Sequence, residues 1–400
     1  MTKRTLCVPT SRDWLKFTIL HTKMKINAKY DTHPVYIELA KMFSSVKIMG
    51  PPMSEKLVAL ISHIFSLEEA CICRHLSFIY PKTIEKIARK SGCPPGVITP
   101  MLKEMSRKRI IITIANRYML YPLIPGTFEH ILRTGEDDAW HNKYAELINE
   151  LINSGYLREY FSRPINAIRN IPVQQAVDSK NIIADTDLIS EMIDSHKNFA
   201  VFHTCPCRHS MHLTGHACSR ASPQDGCLTF GDYSLGIASE GNGRSVSKKE
   251  MYDIVAERRD KNLVFFTSNV LPSSPTAICT CCDCCCRALK IHNSFSKNLV
   301  TPSHLIAEID ESLCNNCGRC IKACNTHAHY FDNKKHVYNH DNCIGCGNCI
   351  IPCRKKAIKM IENRLYKPPL KSYTRLILNM LPPVILTGVK IKLRRYFSRS

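Results

Sequence analysis

The sequence contains no glycine-rich nucleotide-binding pattern and no flavin signature, so neither cofactor is written into it. A secretory leader is also missing: Trp14-Leu15-Lys16-Phe17-Thr18-Ile19-Leu20 is too short and too charged for a leader's apolar core. The apolar run Leu376–Leu386 is too short, and too broken by Pro382-Pro383, to cross a bilayer. Acidic residues are scarce at both ends. Residues 1–30 carry seven Lys and Arg against Asp13 alone, and residues 354–400 carry thirteen against Glu362 alone. The ends therefore hold 18 of the 21 net positive charges, which leaves a near-neutral body and weakens a nucleic-acid reading of the total.

Cysteine, by contrast, is abundant. The chain has 22 in 400 residues, enough length for two or three domains. Without export, thiols in such numbers read as metal ligands, not disulfides, and place the chain in the cytoplasm, most naturally of an anaerobe. Cys7, Cys71, Cys73 and Cys93 are scattered near the start. Ten more lie between Cys205 and Cys286, and the last eight form two runs.

Those runs read Cys314-x2-Cys317-x2-Cys320-x3-Cys324 and Cys343-x2-Cys346-x2-Cys349-x3-Cys353. Three closely spaced thiolates wrap one corner of a [4Fe–4S] cube, and the fourth serves the other cube. The expected sets are Cys314, Cys317, Cys320 and Cys353 for one cluster, and Cys343, Cys346, Cys349 and Cys324 for the second. The fourth Cys of each run is expected to begin a helical segment. Gly318 and Gly347 stand where the backbone must turn closely past the site. Zinc also uses Cys-x2-Cys pairs, but it has no need of a three-plus-one spacing repeated twice.

Over residues 306–362 this pattern closely resembles the 4Fe-4S dicluster ferredoxin family. Ile309-Asp310 and Ala357-Ile358-Lys359-Met360 match its short elements. The resemblance implies two [4Fe–4S] clusters, one-electron transfer and a redox partner protein. One departure stands out: the family's usual Pro after each fourth Cys is Asn325 in the first run and Arg354 in the second.

The fold class expected is multidomain α+β. Residues 1–45 read as a basic arm, although Val35–Ala40 is apolar. Residues 46–126 read as a winged helix. Leu57, Val58, Leu60, Ile61, Ile64 and Phe65 recur at helical spacing, and Ser66 with Glu69 forms a capping box. A helix from Thr83 to Lys90 stops at Gly92, and another starts with Thr99 as cap and Pro100 as first residue. Strands Ile110–Thr113 and Arg117–Leu120 follow, joined around Asn116. Lys103, Arg107 and Lys108 lie on the would-be recognition helix beside Glu104, with little to read base edges, so protein contact is favoured over nucleic acid. Residues 127–198 read as a helical connector, with Tyr144, Leu147, Ile148, Leu151 and Ile152 on one face.

Residues 199–305 read as a small α/β domain. Phe199–His203 and Leu263–Thr267 are strands, with a helix between them opened by Ser247 and Glu250. Each strand runs toward cysteines: Cys205, Cys207, Cys218 and Cys227 after the first, and Cys279, Cys281, Cys282, Cys284, Cys285 and Cys286 after the second. Both groups should lie beyond the carboxyl ends of the strands, where open α/β sheets place their sites. One or two further clusters, one unusual larger cluster, a cluster with a redox dithiol, and zinc all suit ten thiols. His203, His209, His212 and His216 are candidates to replace a thiolate or deliver protons, and Arg208 to neutralise charge.

The Cys-Pro-Cys-Arg element, two spaced Cys and the Cys-x-Cys-Cys-x-Cys-Cys-Cys cluster resemble a family of iron–sulfur proteins of anaerobes. Its members carry an N-terminal winged helix, this central region and a C-terminal dicluster ferredoxin. Thr280 stands where that family often has Asn. Redox function is what the resemblance implies.

Residues 363–400 form a tail in which Lys390, Lys392, Arg394 and Arg395 alternate with Ile391, Leu393, Tyr396 and Phe397. Such a pattern suits an anionic membrane surface or an acidic partner protein. The reading is an iron–sulfur electron-transfer protein, cytoplasmic with membrane contact, serving as an oxidoreductase component. Its rivals are a redox-responsive winged-helix regulator and a reductase that transforms a small molecule at the central cysteines.

Overall fold

The computed structural model describes residues 32–173, 189–271 and 277–397. The Trp14–Leu20 stretch and most of the basic arm lie outside them. The chain divides into two compact units, one of residues 1–131 with 146–154, the other of residues 132–145 with 155–400.

In the first unit, residues 34–43 are a packed helix, Pro34–Phe43, with Val35, Ile37, Leu39, Ala40 and Phe43 buried. Pro34 supplies the fixed φ of the first helical position, and the His33 ring accepts from Val35 N. Helix Glu55–Ile64 buries Leu57, Val58, Leu60, Ile61 and Ile64. The expected capping box opens helix Leu67–Cys73, with Ser66 and Glu69 bonded reciprocally. Helix Ile84–Ser91 starts at Thr83 and ends on Gly92 in the left-handed region, φ 72°.

The next helix corrects the sequence expectation. It spans Pro95–Arg107, so Thr99 is not its cap and Pro100 lies inside it. Pro95 already offers the preset φ at the first position, so initiation happens five residues earlier. Thr99 Oγ1 turns back onto Pro95 O at 2.7 Å. Strands β1 (Ile111–Ile114) and β2 (Arg117–Leu120) form a hairpin whose tip, Ala115-Asn116, has positive φ at both residues. Lys82 bridges to Tyr118 as a minimal third strand. Cys73 is packing, buried with its Sγ 3.5 Å from Met105 Sδ.

Helix Ala139–Asn153 is capped by Asp138, whose carboxylate accepts from His141 N at 2.8 Å. Tyr144, Ile148 and Leu151 are buried, as the helical period of the connector required, while Leu147 and Ile152 are half-buried.

The second unit is built on one seven-stranded sheet. Its strands are β3 (Ile168–Ile171), β4 (Phe199–Phe202), β5 (Leu228–Phe230), β6 (Gly243–Val246), β7 (Val264–Ser268), β8 (Ala277–Cys281) and β9 (Val300–Thr301), in the order β6-β4-β5-β8-β7-β3-β9. Every pairing is antiparallel except β3 with β9. This corrects the expected small α/β unit. The two foreseen strands, β4 and β7, are separated by β5 and β8, and Cys279 and Cys281 lie on β8 itself instead of beyond a strand end. The rule for parallel open sheets therefore does not govern this site. Part of the expected connector, Ile168–Ile171, is also a strand of the same sheet.

One sheet face, with Ile171, Phe199, Val201, Phe265 and Ile278, packs with helices Ile189–Asp194 and Lys248–Asp260 into a single core. That core continues into β10 (Leu305–Ile309) and β13 (Ile358–Glu362), which pair antiparallel, and takes in Cys320 and Cys349. Between them, β11 (His329–Asp332) and β12 (Lys335–Tyr338) form a hairpin turned at Asn333-Lys334, both with positive φ.

The tail is a third correction. Tyr373–Phe397 is one helix that runs through Pro382-Pro383, and its segment Tyr373–Ile391 is long and apolar enough to cross a membrane by length and composition. The two prolines free the carbonyls of Leu378 and Asn379, both exposed, where solvent replaces the missing bonds. Leu376, Thr387 and Ile391 are buried. Ile377, Leu378, Leu381, Ile385, Leu386 and Val389 are exposed.

His75 gives the first unit a pH dependence. Burial, aided by the positive charges of Arg74, Lys82 and Lys90, brings its pKa down to about 4 from 6.5. Between those values the unfolded chain binds a proton that the folded unit refuses, so stability falls as pH is lowered through this window. Hydrogen exchange in Ile84–Ser91, corrected for intrinsic rate, should accelerate from pH 6.5 toward 4, and His75→Gln should remove most of that acceleration.

Candidate metal centres

The antiparallel pairing of β10 with β13 fixes the first thiol set. Ile309 lies opposite Ile358, so the chain leaving β10 toward Cys314 and the chain entering β13 from Cys353 share one end of the ladder. Cys314, Cys317, Cys320 and Cys353 together line a cavity of about 250 Å³. Cys324 instead lies within electrostatic reach of Cys343, Cys346 and Cys349. The fourth Cys does not begin a helix. Cys320 sits inside helix Arg319–Ala323 and Cys324 terminates it, while the second run is held by turns. Three residues between the last two ligands allow only one helical turn, and that turn is used before Cys324.

Both expected glycines have positive φ, 70° at Gly318 and 83° at Gly347. A side chain at Gly318 would also strike the Phe331 ring. Gly345, which the sequence reading did not single out, is more tightly constrained: a Cβ there would run into Leu305 O and Ser303.

Backbone donors converge on the sulfurs. Ala328 N lies 3.3 Å from Cys324 Sγ, and Gly345 N lies 3.4 Å from Cys343 Sγ. Burial pushes the Cys320 thiol up to about 11 and the Cys346 thiol up to about 12. Such groups ionise only if a cation replaces their lost hydration, which suits metal ligation. His336 spans two of them, with Nδ1 3.6 Å from Cys314 Sγ and Nε2 3.5 Å from Cys320 Sγ. Its Nε2 is also 3.0 Å from His329 Nδ1, and burial brings His329 down to about 4.

The ten central thiols separate into two groups. Strand alternation begins the division: Cys279 and Cys281 lie two residues apart on β8 and share a face. Past the strand, Cys286 N donates to Cys282 O at 3.0 Å, closing a tight turn. The turn brings Cys282, Cys284 and Cys285 to Cys218, and these four sulfurs lie within 4.8 Å of one another. The other six form a row. Cys227 Sγ is 3.6 Å from Cys279 Sγ, Cys281 lies against both Cys279 and Cys286, and Cys286 lies against Cys207. Cys205 lies near Cys279 and Cys286. No three of the row are gathered within 4.8 Å among the described residues.

Buried guanidinium groups stand at these thiols. Arg208, 1% exposed, donates to Asp225 O at 2.6 Å and to Thr280 O, and it faces Cys205, Cys282 and Cys281. Burial alone would lower its pKa, but the neighbouring thiols raise it, Cys205 foremost. Its Nε has no hydrogen-bond partner among the described residues. Arg287 faces Cys207, Cys286 and Cys285, and Arg133 acts on Cys227 and Cys279. A desolvated guanidinium needs a nearby anion, and ionised thiols holding a metal supply one. The donor set therefore fits iron–sulfur or other thiophilic metal chemistry. A bound [4Fe–4S] cluster supplies one-electron oxidation and reduction there.

Asn325 connects the two regions. It is fully buried, and its Oδ1 accepts from Asp283 N at 3.1 Å, between Cys282 and Cys284. Its Nδ2 donates to Asn262 O at 2.7 Å, and its carbonyl accepts from Asn293 Nδ2 at 2.9 Å. A proline could make none of the side-chain bonds, which accounts physically for this departure from the ferredoxin pattern. Asp283 is also held by Arg220, through Nε–Oδ1 at 2.8 Å and Nη2–Oδ2 at 3.2 Å.

The loop histidines stand apart from the thiols. His209 Nδ1 bonds Leu132 O at 2.8 Å, His212 Nε2 lies 3.4 Å from Asp137, and His203 and His216 are exposed. Among the described residues, the histidines gathered with a thiol are His329 and His336, which the sequence reading missed. Their place in a strand pair nine and sixteen residues beyond Cys320 could have been found only from the hairpin register.

Residues 307–360 match the family model of the 4Fe-4S dicluster domain. This stretch is a ferredoxin-type domain. With the thiol groups, it supports iron–sulfur cluster binding and an electron-transfer role. No curated protein and no solved structure matches the chain.

Asn325→Ala should leave Asp283 N buried without its acceptor, at a cost of about 1–3 kcal/mol. Thermal denaturation under anaerobic conditions should show the loss, whereas Asn379→Ala on the exposed tail helix should change little.

Proposed function

We propose that the chain is an iron–sulfur electron carrier in which the dicluster domain exchanges single electrons with a redox partner protein and with the central thiols. The observation that carries this reading is the buried link through Asn325. The residue after the ligand Cys324 is bonded to the backbone between Cys282 and Cys284, so ferredoxin and central sites are joined by covalent and hydrogen-bonded contact. In the crossed assignment, Cys314, Cys317, Cys320 and Cys353 hold one cluster, and Cys343, Cys346, Cys349 and Cys324 hold the other. Cys317 is exposed, and a cavity of about 440 Å³ bordered by Glu308, Glu311, Lys335 and His336 opens beside Cys314. This is where the partner docks.

The row Cys205, Cys207, Cys227, Cys279, Cys281 and Cys286 holds an additional cluster. Its spread suits a four-iron site, in which four of the six thiolates each bind a different iron, and Arg133, Arg208 and Arg287 balance the negative charge. A cytoplasmic setting goes with this reading, because thiols kept for metal need a reducing compartment.

The arrangement of helices around Ile84–Ser91 and Pro95–Arg107, with the β1–β2 hairpin and the Lys82 bridge, is read as a winged helix. A protein-contact role suits it better than DNA. Arg107 is paired with Glu104 on the same helix at 2.7 Å, and Lys108 with Glu69 at 3.0 Å, so both cations are already engaged.

The tail helix has its Leu376, Thr387 and Ile391 face packed against the protein and its opposite apolar face exposed. A helix held on one side lies on a bilayer better than it crosses one, and Arg375 and Lys390 favour anionic lipid.

Metal analysis of the anaerobically purified chain tests the carrier reading. Two four-iron clusters account for about eight iron atoms, and the central row should raise the content by about four more. Changing Cys205 and Cys207 together to Ser should remove that increment and leave the ferredoxin electron-spin signals. Iron absent from the ferredoxin runs, with zinc in its place, would sink the reading.

Removing residues 363–400 should cut sedimentation with phosphatidylserine vesicles at least several-fold at low salt, because both apolar and basic contributions go with it. Equal sedimentation of the truncated chain would rule out the tail as the membrane contact.

A further inference from the structure

The four sulfurs of Cys218, Cys282, Cys284 and Cys285 are too close together for a cube. Cys218 Sγ is 3.6 Å from Cys282 Sγ and 3.4 Å from Cys284 Sγ, and Cys284 Sγ is 3.6 Å from Cys285 Sγ. All four lie within 4.8 Å of one another. Thiolates at about 2.3 Å from one ion, placed at tetrahedral corners, are separated by about 3.8 Å. In a [4Fe–4S] cube each terminal thiolate binds a different iron, and the inorganic sulfides lie between those irons, so the four sulfurs must stand farther apart. The ferredoxin thiols Cys314, Cys317, Cys320 and Cys353 border a cavity of about 250 Å³ instead of meeting at a point.

We propose that Cys218, Cys282, Cys284 and Cys285 bind one thiophilic metal ion, zinc or iron, in tetrahedral all-sulfur coordination, as a centre separate from every cluster. The surroundings are those of such a site. Leu263, Met211 and Ala221 pack around the sulfurs. Backbone N–H groups of Arg220 and Ser219 point at Cys218 and Cys284. Four thiolates on a divalent ion leave two negative charges, and Arg208 and Arg220 lie beside them. Arg220 is fixed by its paired bonds to Asp283, and Asp283 by Asn325, so the outer groups are as tightly held as the ligands. The ion would tie the Cys218 loop to the Cys282–Cys286 turn and thereby stabilise the fold. This centre does not depend on the electron-carrier reading.

The test uses the full chain, purified anaerobically, with iron, zinc and acid-labile sulfide measured per chain. Changing Cys218 and Cys284 together to Ser should remove about one metal atom and leave sulfide unchanged. Loss of about four iron with matching sulfide would show a cube and overturn the proposal, as would no loss of metal. Because the double variant can misfold, a second measurement uses the unaltered sequence. Exchange of the labile ion for cobalt(II) should give the intense thiolate charge-transfer and tetrahedral ligand-field bands of an all-sulfur site. If those bands do not develop, the four thiols do not share one ion. Zinc in the isolated protein would make the centre structural. Iron with a ferric all-thiolate spectrum would make it redox-active.

Discussion

The division of thiols at the end of β8 is the constraint on which the second unit depends. A strand sends neighbouring side chains to opposite faces, and a hydrogen-bonded turn from Cys282 to Cys286 then redirects those that follow. One run of eight residues thereby feeds both thiol groups. Cys279, Cys281 and Cys286 face Cys207, Cys205 and Cys227, while Cys282, Cys284 and Cys285 face Cys218. Antiparallel pairing of β5 with β8 brings Cys227 alongside Cys279, because Leu228 already lies opposite Ile278. The sheet is thus the scaffold of the site in its middle strands, not at the mouth of its loops.

Charge sets the second constraint. Thiolates and guanidinium groups each lose hydration on burial, and each is tolerable there only because of the other. Arg208 is held by backbone carbonyls, which orient it but carry no full charge. The carboxylate of Asp225 beside it is engaged by Lys261 at 2.9 Å and by Arg258. The anionic partner of Arg208 must then come from the sulfurs. That requirement links the metal chemistry to the stability of the fold, since the same residues pack the sheet face and balance the centre.

Much of this was legible in advance. The spacing of the two four-cysteine runs marked the ferredoxin-type domain, and the antiparallel pairing of β10 with β13 brings Cys353 to the cavity lined by Cys314, Cys317 and Cys320. Local signals in the first unit were also reliable where capping chemistry acts within a few residues, as at Ser66, Thr83 and Gly92. The start of helix Pro95–Arg107 was misplaced because two prolines offered two equally good first positions, and only packing of Ile98 and Leu102 chooses between them. Pro382-Pro383 suggests a break in the tail because it removes two helical bonds, a loss that matters little where the freed carbonyls face solvent.

By itself the sequence determined which stretch is the ferredoxin-type domain and which thiols are candidate metal ligands, since those spacings act over distances that the local backbone controls. It also determined the basic ends and the apolar tail. Only the tertiary structure decided how the ten central thiols divide, that Arg208 lies between the two groups, and that Asn325 joins them to the ferredoxin. Those arrangements need partners separated by dozens of residues, such as Cys218 with Cys284 and Asp283 with Asn325, and they arise from strand order and register. A residue list carries no record of either until the sheet closes.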